Sequence, residues 1–488
     1  MIVKQPRLSR WIGLLILAVL VGSAAIGLIA ITRQTGEAAP VVDPEFNTAF
    51  AQPTDIEEGE QKKAWSGISL AERTLVADTP SASSRAAGFD TERVISGYDD
   101  WEPTVAVDPN SAYVYQMTTR YNDPRVCPQC ASPVMIFRRS KDGGATWEPD
   151  HLLATTRRSQ NDPQVKVAED GTVFTAWMND YVPGIRFMKS LDHGSTWTRP
   201  IMVANKGAGP NWSDKPILAI SRSGRDVYIA FNSSDHYVVA SHDGGDTFAE
   251  PIKLSADQRY WFDSGGVVAA NGDVYFAAAD YTQDYTGDSN IDVAKSTDGG
   301  RTWITTRVDT SARMPDCPWA AGCYLGFIGP ADTLAIDRAG LIMLAYNAGD
   351  VAGSPERMYV RTSRDGVNWS ARQEVSNGSS TVNNAFPALA AGNRPGDFRL
   401  IWMDDRNGST TEWNTWYRRT TDSGLTWSAD VRVSDLGSGA PYKNAAGFSF
   451  PYGDYNGIAV DAQGVNHIIW GEGISYTGPG GSWYTRGQ

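Results

Sequence analysis

The chain has 488 residues, enough for a large hydrophobic core or several domains. The first 33 residues hold four basic residues and no acidic ones, which leaves a formal net charge of −17 on the remainder. A body with that charge is disfavoured as a partner of nucleic acid or anionic lipid, so we expect no nucleic-acid binding. The 48 glycines and 17 tryptophans are typical of many short strands joined by tight turns.

The N-terminal segment has the pattern of a membrane anchor. Residues 11–31 form an unbroken run of apolar and small residues, close to the ~20 needed to span a bilayer. Lys4, Arg7 and Arg10 precede the run, which predicts a cytoplasmic N-terminus and an extracytoplasmic body. A cleaved signal peptide is the alternative, although its apolar core is usually ~7–15 residues. We expect residues 1–33 to form a cytoplasmic tip and a transmembrane signal anchor in the cell membrane.

Residues 34–88 are expected to be a flexible extracytoplasmic tether. They contain Pro40, Pro53 and Pro80, an acidic run and a stretch of small residues. Periodic apolar patterning is weak there, so the sequence predicts no regular structure. The folded domain is then expected to occupy residues 89–488.

Two sequence elements alternate through residues 89–488. The first is an apolar run, rich in Ala and Val, that is followed each time by a turn and a second apolar run. It occurs seven times, beginning at Pro103, Pro163, Pro216, Gly265, Asp332, Pro387 and Asn456. The pattern predicts pairs of antiparallel strands, the first of each pair in a crowded position.

The second element is a short motif with the pattern S-x-D-x-G-x-T-W. It occurs six times, with small variations, and its aspartates are Asp142, Asp192, Asp243, Asp298, Asp365 and Asp422. The residues suit a tight hairpin in which Asp accepts bonds from backbone N–H groups, Gly supplies a positive φ and Thr closes the turn. The aspartates are 50 to 67 residues apart, which fits a repeated unit of four strands.

This motif resembles the Asp box, or BNR repeat, of sialidases and related β-propellers. The resemblance implies an all-β fold, a single β-propeller of four-stranded antiparallel blades with Asp-box hairpins. It says less about activity, because one fold serves many functions. The family's six blades agree with the six motifs, whereas the seven inner strands predict seven blades. We expect seven, because a missing hairpin motif is tolerated more easily than an extra strand pair.

The seventh unit lacks a fourth strand. Its third strand is expected at Ser482–Arg486, and the segment Thr91–Ser96 resembles the fourth strand of other units. The N-terminal strand is therefore predicted to complete the last blade, which removes two exposed sheet edges.

The long, varied loops all fall at one end of such blades, where function is expected. Carboxylates lie before or at the start of inner strands at this end: Glu102, Asp162, Asp214, Asp263, Asp332 and Asp454. A ring of them is able to hold a hard cation such as Ca²⁺. The alternative, which we favour, is that each bonds backbone groups within its own blade. No other cofactor is indicated.

The sialidase family clamps its substrate carboxylate with three arginines and uses a Tyr–Glu pair as nucleophile and an Asp as acid/base. The family's Arg-Ile-Pro is absent here, where Trp101-Glu-Pro103 stands instead. Arginines are available at this end of the blades, including Arg125, Arg259 and Arg357. The candidate catalytic residues are Tyr455, Glu472, Asp454, Arg120 and Arg406, although none of them lies in a matching family motif.

The four cysteines form two closely spaced pairs. An even number outside the cytoplasm favours disulfides, here Cys127–Cys130 and Cys317–Cys323, and four thiolates binding zinc are the alternative. The two loops are expected on opposite sides of the ring, which disfavours a shared metal.

Two functions are compatible with these patterns. The first is a membrane-anchored, extracytoplasmic, sialidase-like propeller that binds glycans at its loop-rich end and hydrolyses them as a glycosidase. The second is a non-catalytic propeller that binds a protein or helps to assemble a complex. The sequence leaves open whether the protein is an enzyme.

Overall fold

The protein is described from a computed structural model. The structure describes residues 41–42, 86–96, 100–120, 127–180, 184–203, 213–255, 259–283, 287–315, 329–407, 412–434, 440–441, 456–473 and 480–488. Their regular structure is entirely β, and none of them belongs to a helix long and apolar enough to cross a membrane. The predicted anchor at residues 11–31 lies outside the described residues, and the domain limits at 33 and 88 stay predictions.

Two short strands come first in the chain, β1 (Val41–Val42) and β2 (Arg93–Ser96). Three consecutive four-stranded sheets follow. Blade 1 has β3 (Asp100–Val107), β4 (Val114–Arg120), β5 (Val134–Ser140) and β6 (His151–Leu152). After β7 (Ala154–Thr155), which pairs with β1 in parallel, blade 2 has β8 (Gln160–Val167), β9 (Val173–Asn179), β10 (Gly184–Ser190) and β11 (Ile201–Met202). Blade 3 has β12 (Asp214–Ile220), β13 (Val227–Ser233), β14 (Asp235–Ser241) and β15 (Ile252–Lys253).

Four further sheets complete the series. Blade 4 has β16 (Tyr260–Val268), β17 (Val274–Tyr281), β18 (Ser289–Ser296) and β19 (Ile304–Ser311). Blade 5 has β20 (Asp332–Ile336), β21 (Ile342–Ala348), β22 (Arg357–Ser363) and β23 (Gln373–Glu374). Blade 6 has β24 (Asn384–Ala391), β25 (Phe398–Asp404), β26 (Glu412–Thr420) and β27 (Val431–Arg432), with β28 (Ala440–Pro441) also on β26. Blade 7 has β29 (Gly457–Val460), β30 (Asn466–Gly473) and β31 (Gly480–Gly487), with β2 as its fourth strand.

The seven sheets close into a ring. Each inner strand contacts the inner strand of the next blade, and β29 of blade 7 contacts β3 of blade 1. Apolar clusters fill the spaces between successive blades; one of them joins Val105 and Val114 of blade 1 to Ile469 of blade 7. The protein is thus an all-β, seven-bladed propeller of four-stranded antiparallel blades, and the count from inner strands is confirmed.

The closure of blade 7 by an N-terminal strand is also confirmed. Strand β2 pairs antiparallel with β31, and Val94 lies opposite Trp483. Just before β2, Phe89 is buried and bridges to Gly487. The carboxylate of Asp90 accepts a hydrogen bond from Arg486. Residues from both ends of the described chain therefore complete one sheet.

The repeated hairpins have the hydrogen bonds that their sequence predicts. In blade 1, Asp142 Oδ1 accepts from the backbone N–H of Thr146 at 2.8 Å, and Oδ2 accepts from the Thr146 hydroxyl at 2.6 Å. The Ser140 hydroxyl accepts from the N–H of Gly144 and donates to Asp142. In the shorter fifth hairpin, Asn368 replaces Thr and its amide donates to Asp365. The turn geometry therefore survives the loss of one residue.

The hairpins also hold neighbouring blades together through a glycine. Gly245 of blade 3 has φ 81°, and a Cβ added there would lie 2.3 Å from the ring of Phe187 in blade 2. Gly144 of blade 1 is similarly placed against Tyr484 of blade 7. The motif requires glycine for its backbone conformation and because no side chain fits between the hairpin and the preceding blade.

Substituting adjacent glycines separates these two requirements. Gly244 has φ 71°, and the nearest atom to an added Cβ is 3.5 Å away. Gly244→Ala is expected to cost ~1–2 kcal/mol from the left-handed backbone alone. Gly245→Ala is expected to cost at least ~1 kcal/mol more, because the Phe187 ring must move. Urea unfolding of the full chain measures both, and equal losses would show that the ring contact does not hold the hairpin.

The hairpin aspartates predict an acid-sensitive stability. Hydrogen bonds from Thr hydroxyl and N–H groups lower the pKa of Asp142, Asp243 and Asp298 to about 2, from an ordinary 3.8. Since the folded-state pKa is depressed, the hydrogen bonds stabilise the fold fully above about pH 3.8, and this stabilisation is lost as the pH falls towards 2. In a triple variant, Asp142→Asn/Asp243→Asn/Asp298→Asn, the Tm should therefore fall by less than in the parent protein between about pH 4 and pH 2.5. A parallel decline of both proteins would contradict this assignment.

Candidate functional site

One end of the propeller collects the starts of the first strands and the ends of the second strands; we call it the loop-rich end. The sequence predicted first strands from prolines such as Pro103 and Pro163, but these strands begin three residues earlier, at Asp100 and Gln160. A β-bulge carries the strand past each proline, which has no N–H to offer the ladder. The residue before the proline takes a positive φ in four blades: Glu102, Asp162, Lys215 and Phe386.

Five of the six predicted carboxylates of the ring are described, and all five are buried: Glu102, Asp162, Asp214, Asp263 and Asp332. Glu102 accepts hydrogen bonds from the Thr119 hydroxyl of its own blade and from the N–H of Asp162 in the next blade. Asp214 accepts from the N–H of Lys215. Structural bonding thus accounts for part of the ring, and for Glu102 it also links two blades. Among the described residues, no group of three or more His, Cys, Asp or Glu is placed to hold a metal ion.

A different arrangement is found between blades 3 and 4. Asp214, Asn232 and His236 lie directly opposite one another on β12, β13 and β14. Opposed residues of neighbouring antiparallel strands share a face of the sheet. Further along the same face, Ala230 and Val238 pack against blade 4. The three polar residues therefore cap an apolar interface at the loop-rich end.

Blade 4 presents Trp261 and Asp263 to this polar row. His236 Nε2 lies 2.6 Å from Asp263 Oδ1, and the His236 and Trp261 rings are 5.7 Å apart. Both partners of the His236–Asp263 pair are almost completely buried. Burial raises the pKa of Asp263, and the neighbouring His236 opposes that shift.

Blade 5 adds Asp332 at the start of β20. Burial raises the pKa of Asp332 well above its usual range, and the nearby charges of Asp263 and Asp292 raise it further. The Ser264 hydroxyl opposes the shift without offering a well-formed hydrogen bond, because neither Asp332 oxygen has such a partner. Burial thus disfavours the charged form of Asp332, which lies beside a second acid, Asp263, whose charged form His236 favours. We call Asp214, Asn232, His236, Trp261, Asp263 and Asp332 the polar seam.

Buried polar groups without a hydrogen-bond partner in the described protein are frequent at the loop-rich end. They include side-chain atoms of Gln160, Asn179, Ser213, Asn232, Ser289, Asp332, Glu356 and Asn384. Each such group costs about 1–3 kcal/mol unless something bonds to it, and most buried polar groups in proteins are bonded. The loop-rich end of blades 2 to 6 is therefore suited to water or a hydroxyl-rich ligand.

The two candidate arginines are each bound by two carboxylates. Arg120 is 1% exposed and donates to Asp100 at 2.6 and 2.9 Å and also to Asp150. Arg406 pairs with Asp404 and Asp430, and its guanidinium carbon lies 3.8 Å from the centroid of Trp416. The two belong to blades 1 and 6, with blade 7 between them. Their roles as substrate clamps stay predictions, and their charges are already compensated within the protein.

Glu472 ends the second strand of blade 7 and is buried. Its carboxylate accepts from Trp470 Nε1 at 2.8 Å. Blade 6 has the same arrangement, in which Trp402 Nε1 donates to Asp404 Oδ2. A contact that two blades repeat has a structural role, so the indole bond alone does not mark Glu472 as catalytic. The predicted partners Tyr455 and Asp454 lie outside the described residues.

One predicted disulfide is present. Cys127 and Cys130 are bonded and buried, and they pack on Val134, Ile136 and Leu152. This surrounding favours a structural bridge that fixes the loop before β5. Cys317 and Cys323 lie outside the described residues, so their pairing stays a prediction.

Sequence reasoning missed His236 and Asn232. No sequence motif marks either residue. A signal was present in strand register: Asn232 and His236 each lie two positions from a tight turn at Ser234, which places them opposite each other. Their contact with Asp263 depends on how two blades meet, and nothing in the local sequence encodes it.

The sequence matches no protein-family model and no curated protein. Solved structures with a similar fold include a Hadza microbial sialidase, 17% identical over 80% of this chain, with a TM-score of 0.42; this chain covers 66% of that sialidase. A protein of unknown function from Dyadobacter fermentans is 14% identical, with a TM-score of 0.47. The match covers 82% of this chain and 98% of the Dyadobacter protein. The NanB sialidase of Streptococcus pneumoniae is 12% identical, with a TM-score of 0.43. The match covers 86% of this chain and 72% of the sialidase. At these values the likenesses carry no argument about the activity of this chain.

The buried His236–Asp263 pair predicts a large cost for removing one partner. His236→Ala is expected to destabilise the protein by roughly 3 kcal/mol, because Asp263 is left buried beside Asp332. His242→Ala removes a similar pair with Asp226, but that pair is 45% and 35% exposed, so its loss should cost less than ~1 kcal/mol. Denaturant unfolding at neutral pH compares the two variants. Similar losses would mean that His236 does not support Asp263.

Proposed function

We propose that the protein is a membrane-anchored, extracytoplasmic β-propeller that binds glycans at its loop-rich end and hydrolyses a glycosidic bond there. The observation that carries the proposal is the density of buried amide, hydroxyl and carboxyl groups at this end without partners in the described protein. Sugar hydroxyls are both donors and acceptors and can satisfy such groups together. An apolar protein partner would leave them unbonded, at a cost for each.

The acids of the polar seam support hydrolysis. Cleavage of a glycosidic bond needs a proton donor for the leaving oxygen and a second group that acts on water or on the sugar. Asp332, whose pKa is raised, supplies the proton, and Asp263 with His236 supplies the base. The nucleophilic pair Tyr455–Glu472 and the acid/base Asp454 stay as the alternative assignment that the resemblance to sialidases implies.

The proposed location is the cell membrane, with the propeller on the extracytoplasmic side. The apolar run at 11–31 and the basic residues before it support a single-pass anchor with the propeller outside the cytoplasm. The Cys127–Cys130 bridge supports an oxidising compartment, since structural disulfides are rare in the cytosol.

A panel of fluorogenic glycosides, including a sialoside, tests the activity of the full chain. Turnover of at least one glycoside is expected, and Asp332→Asn should lower kcat by ~10²-fold or more by removing the proton donor. Asp298→Asn, in an exposed hairpin at the opposite end, is the matched control and should keep full turnover. Glu472→Gln separates the two assignments, because a loss confined to that variant would favour the Tyr455–Glu472 pair.

No turnover and no binding across a glycan array would contradict the proposal. The non-catalytic protein-interaction propeller would then be the better account. Binding without turnover would retain the glycan ligand and remove the hydrolytic step.

A further inference from the structure

We propose that the polar seam binds an amino-sugar glycan, with the protonated amine of the sugar held between Asp263 and Asp332. This inference rests on the proposed glycan-binding function and specifies its ligand. It differs from the expectation of an anionic sialic acid that the resemblance to sialidases implies.

Acidic side chains are concentrated at the seam. Three carboxylates of the seam, Asp214, Asp263 and Asp332, have Asp280 and Asp292 of blade 4 as neighbours on the same side. The nearby arginines are used by the second group: Arg259 donates to Asp280, and Arg307 pairs with both Asp280 and Asp292. Among the described residues, no lysine or arginine forms an ion pair with Asp263 or Asp332. A cationic ligand would favour the charged forms of these two acids, which burial disfavours.

Two further basic groups among the described residues lie near the seam acids, Lys215 and His236. The Lys215 ammonium lies 5.3 Å from the centroid of the Phe262 ring. His236 contacts Asp263 and leaves both oxygens of Asp332 without a hydrogen bond. The described residues of the polar seam thus hold three acids and one histidine, and this charge favours a cation over an anion.

The seam also contains an uncharged polar side chain, that of Asn232. Asn232 is fully buried between Asp214 and His236, and neither its Oδ1 nor its Nδ2 has a partner in the described protein. Leaving both ends of a buried amide unbonded costs about 1–3 kcal/mol for each group. A sugar hydroxyl can donate to Oδ1 and accept from Nδ2. Asn232 would thus bind a sugar hydroxyl next to the amine that Asp263 and Asp332 hold.

An anionic sugar finds a poor environment at the same end. A carboxylate clamp needs guanidinium groups whose charge is free. Several arginines described there are ion-paired: Arg120 and Arg406 with two carboxylates each, and Arg158 with Asp180. A sialic acid carboxylate placed in the seam would meet the acids Asp263 and Asp332 instead of a guanidinium clamp.

Isothermal titration of the full chain tests the inference with three oligosaccharides. A glucosamine tetramer carries amines, an N-acetylglucosamine tetramer has the same backbone without charge, and sialyllactose is anionic. We expect the glucosamine tetramer to bind at least 10-fold more tightly than the other two. Asp332→Asn and Asn232→Ala should each weaken that binding by 10-fold or more, whereas Asp298→Asn, in a hairpin at the opposite end, should leave it unchanged.

The outcomes separate this inference from the proposed function. If the acetylated tetramer or sialyllactose binds as tightly as the glucosamine tetramer, the inference is wrong and glycan binding stands. If Asp332→Asn keeps its fold by circular dichroism and binds the glucosamine tetramer with unchanged affinity, the amine lies elsewhere and the inference is also wrong. If none of the three binds and a wider glycan array is silent, the proposed function fails as well.

Discussion

Contact between a hairpin glycine and an aromatic ring of the preceding blade is the constraint on which the propeller depends. The glycine needs a left-handed backbone for its own turn, and it needs the absence of a side chain for its neighbour, as at Gly245 against Phe187. One residue thereby couples the local conformation of a turn to the packing of two sheets. Hairpin glycines of five blades meet an aromatic ring in this way, whereas Gly424 of blade 6 meets Met343. Where the contact is made, it limits how closely a blade and the preceding one approach each other.

The polar seam depends on how neighbouring blades approach each other. Asp214, Asn232 and His236 belong to one sheet, Asp263 to the next and Asp332 to a third. Their contacts exist only because apolar clusters hold blades 3, 4 and 5 at fixed spacing below them. The apolar interface supplies rigidity, and it also removes water from the acids above it, which raises the pKa of Asp263 and Asp332.

The fold could be predicted because its determinants are repeated and local. Each hairpin motif carries its own hydrogen-bonding residues, and each inner strand carries its own apolar pattern, so seven units are visible in the sequence. Even the pairing of Val94 with Trp483 was accessible, because a missing strand in the last unit had one matching segment elsewhere.

The candidate site could be predicted only in outline. The acids Asp263 and Asp332 were identified by their position at the inner strands, but their partners were not. Arg120 and Arg406 were candidates for a substrate clamp because the sequence shows where an arginine is. It does not show which carboxylates that arginine contacts. Asp100 and Asp150 reach Arg120 from different strands, and this pairing depends on register and on side-chain direction. Such contacts follow from tertiary packing, where one sequence carries little signal.

Crystallography of the protein with a bound glucosamine oligomer tests the central claim most directly. The account predicts electron density for a sugar at the loop-rich end, with its amine within 3.2 Å of Asp263 or Asp332 and a hydroxyl bonded to Asn232. A sugar bound at the hairpin end, or one whose amine faces solvent while the seam stays closed, would contradict it.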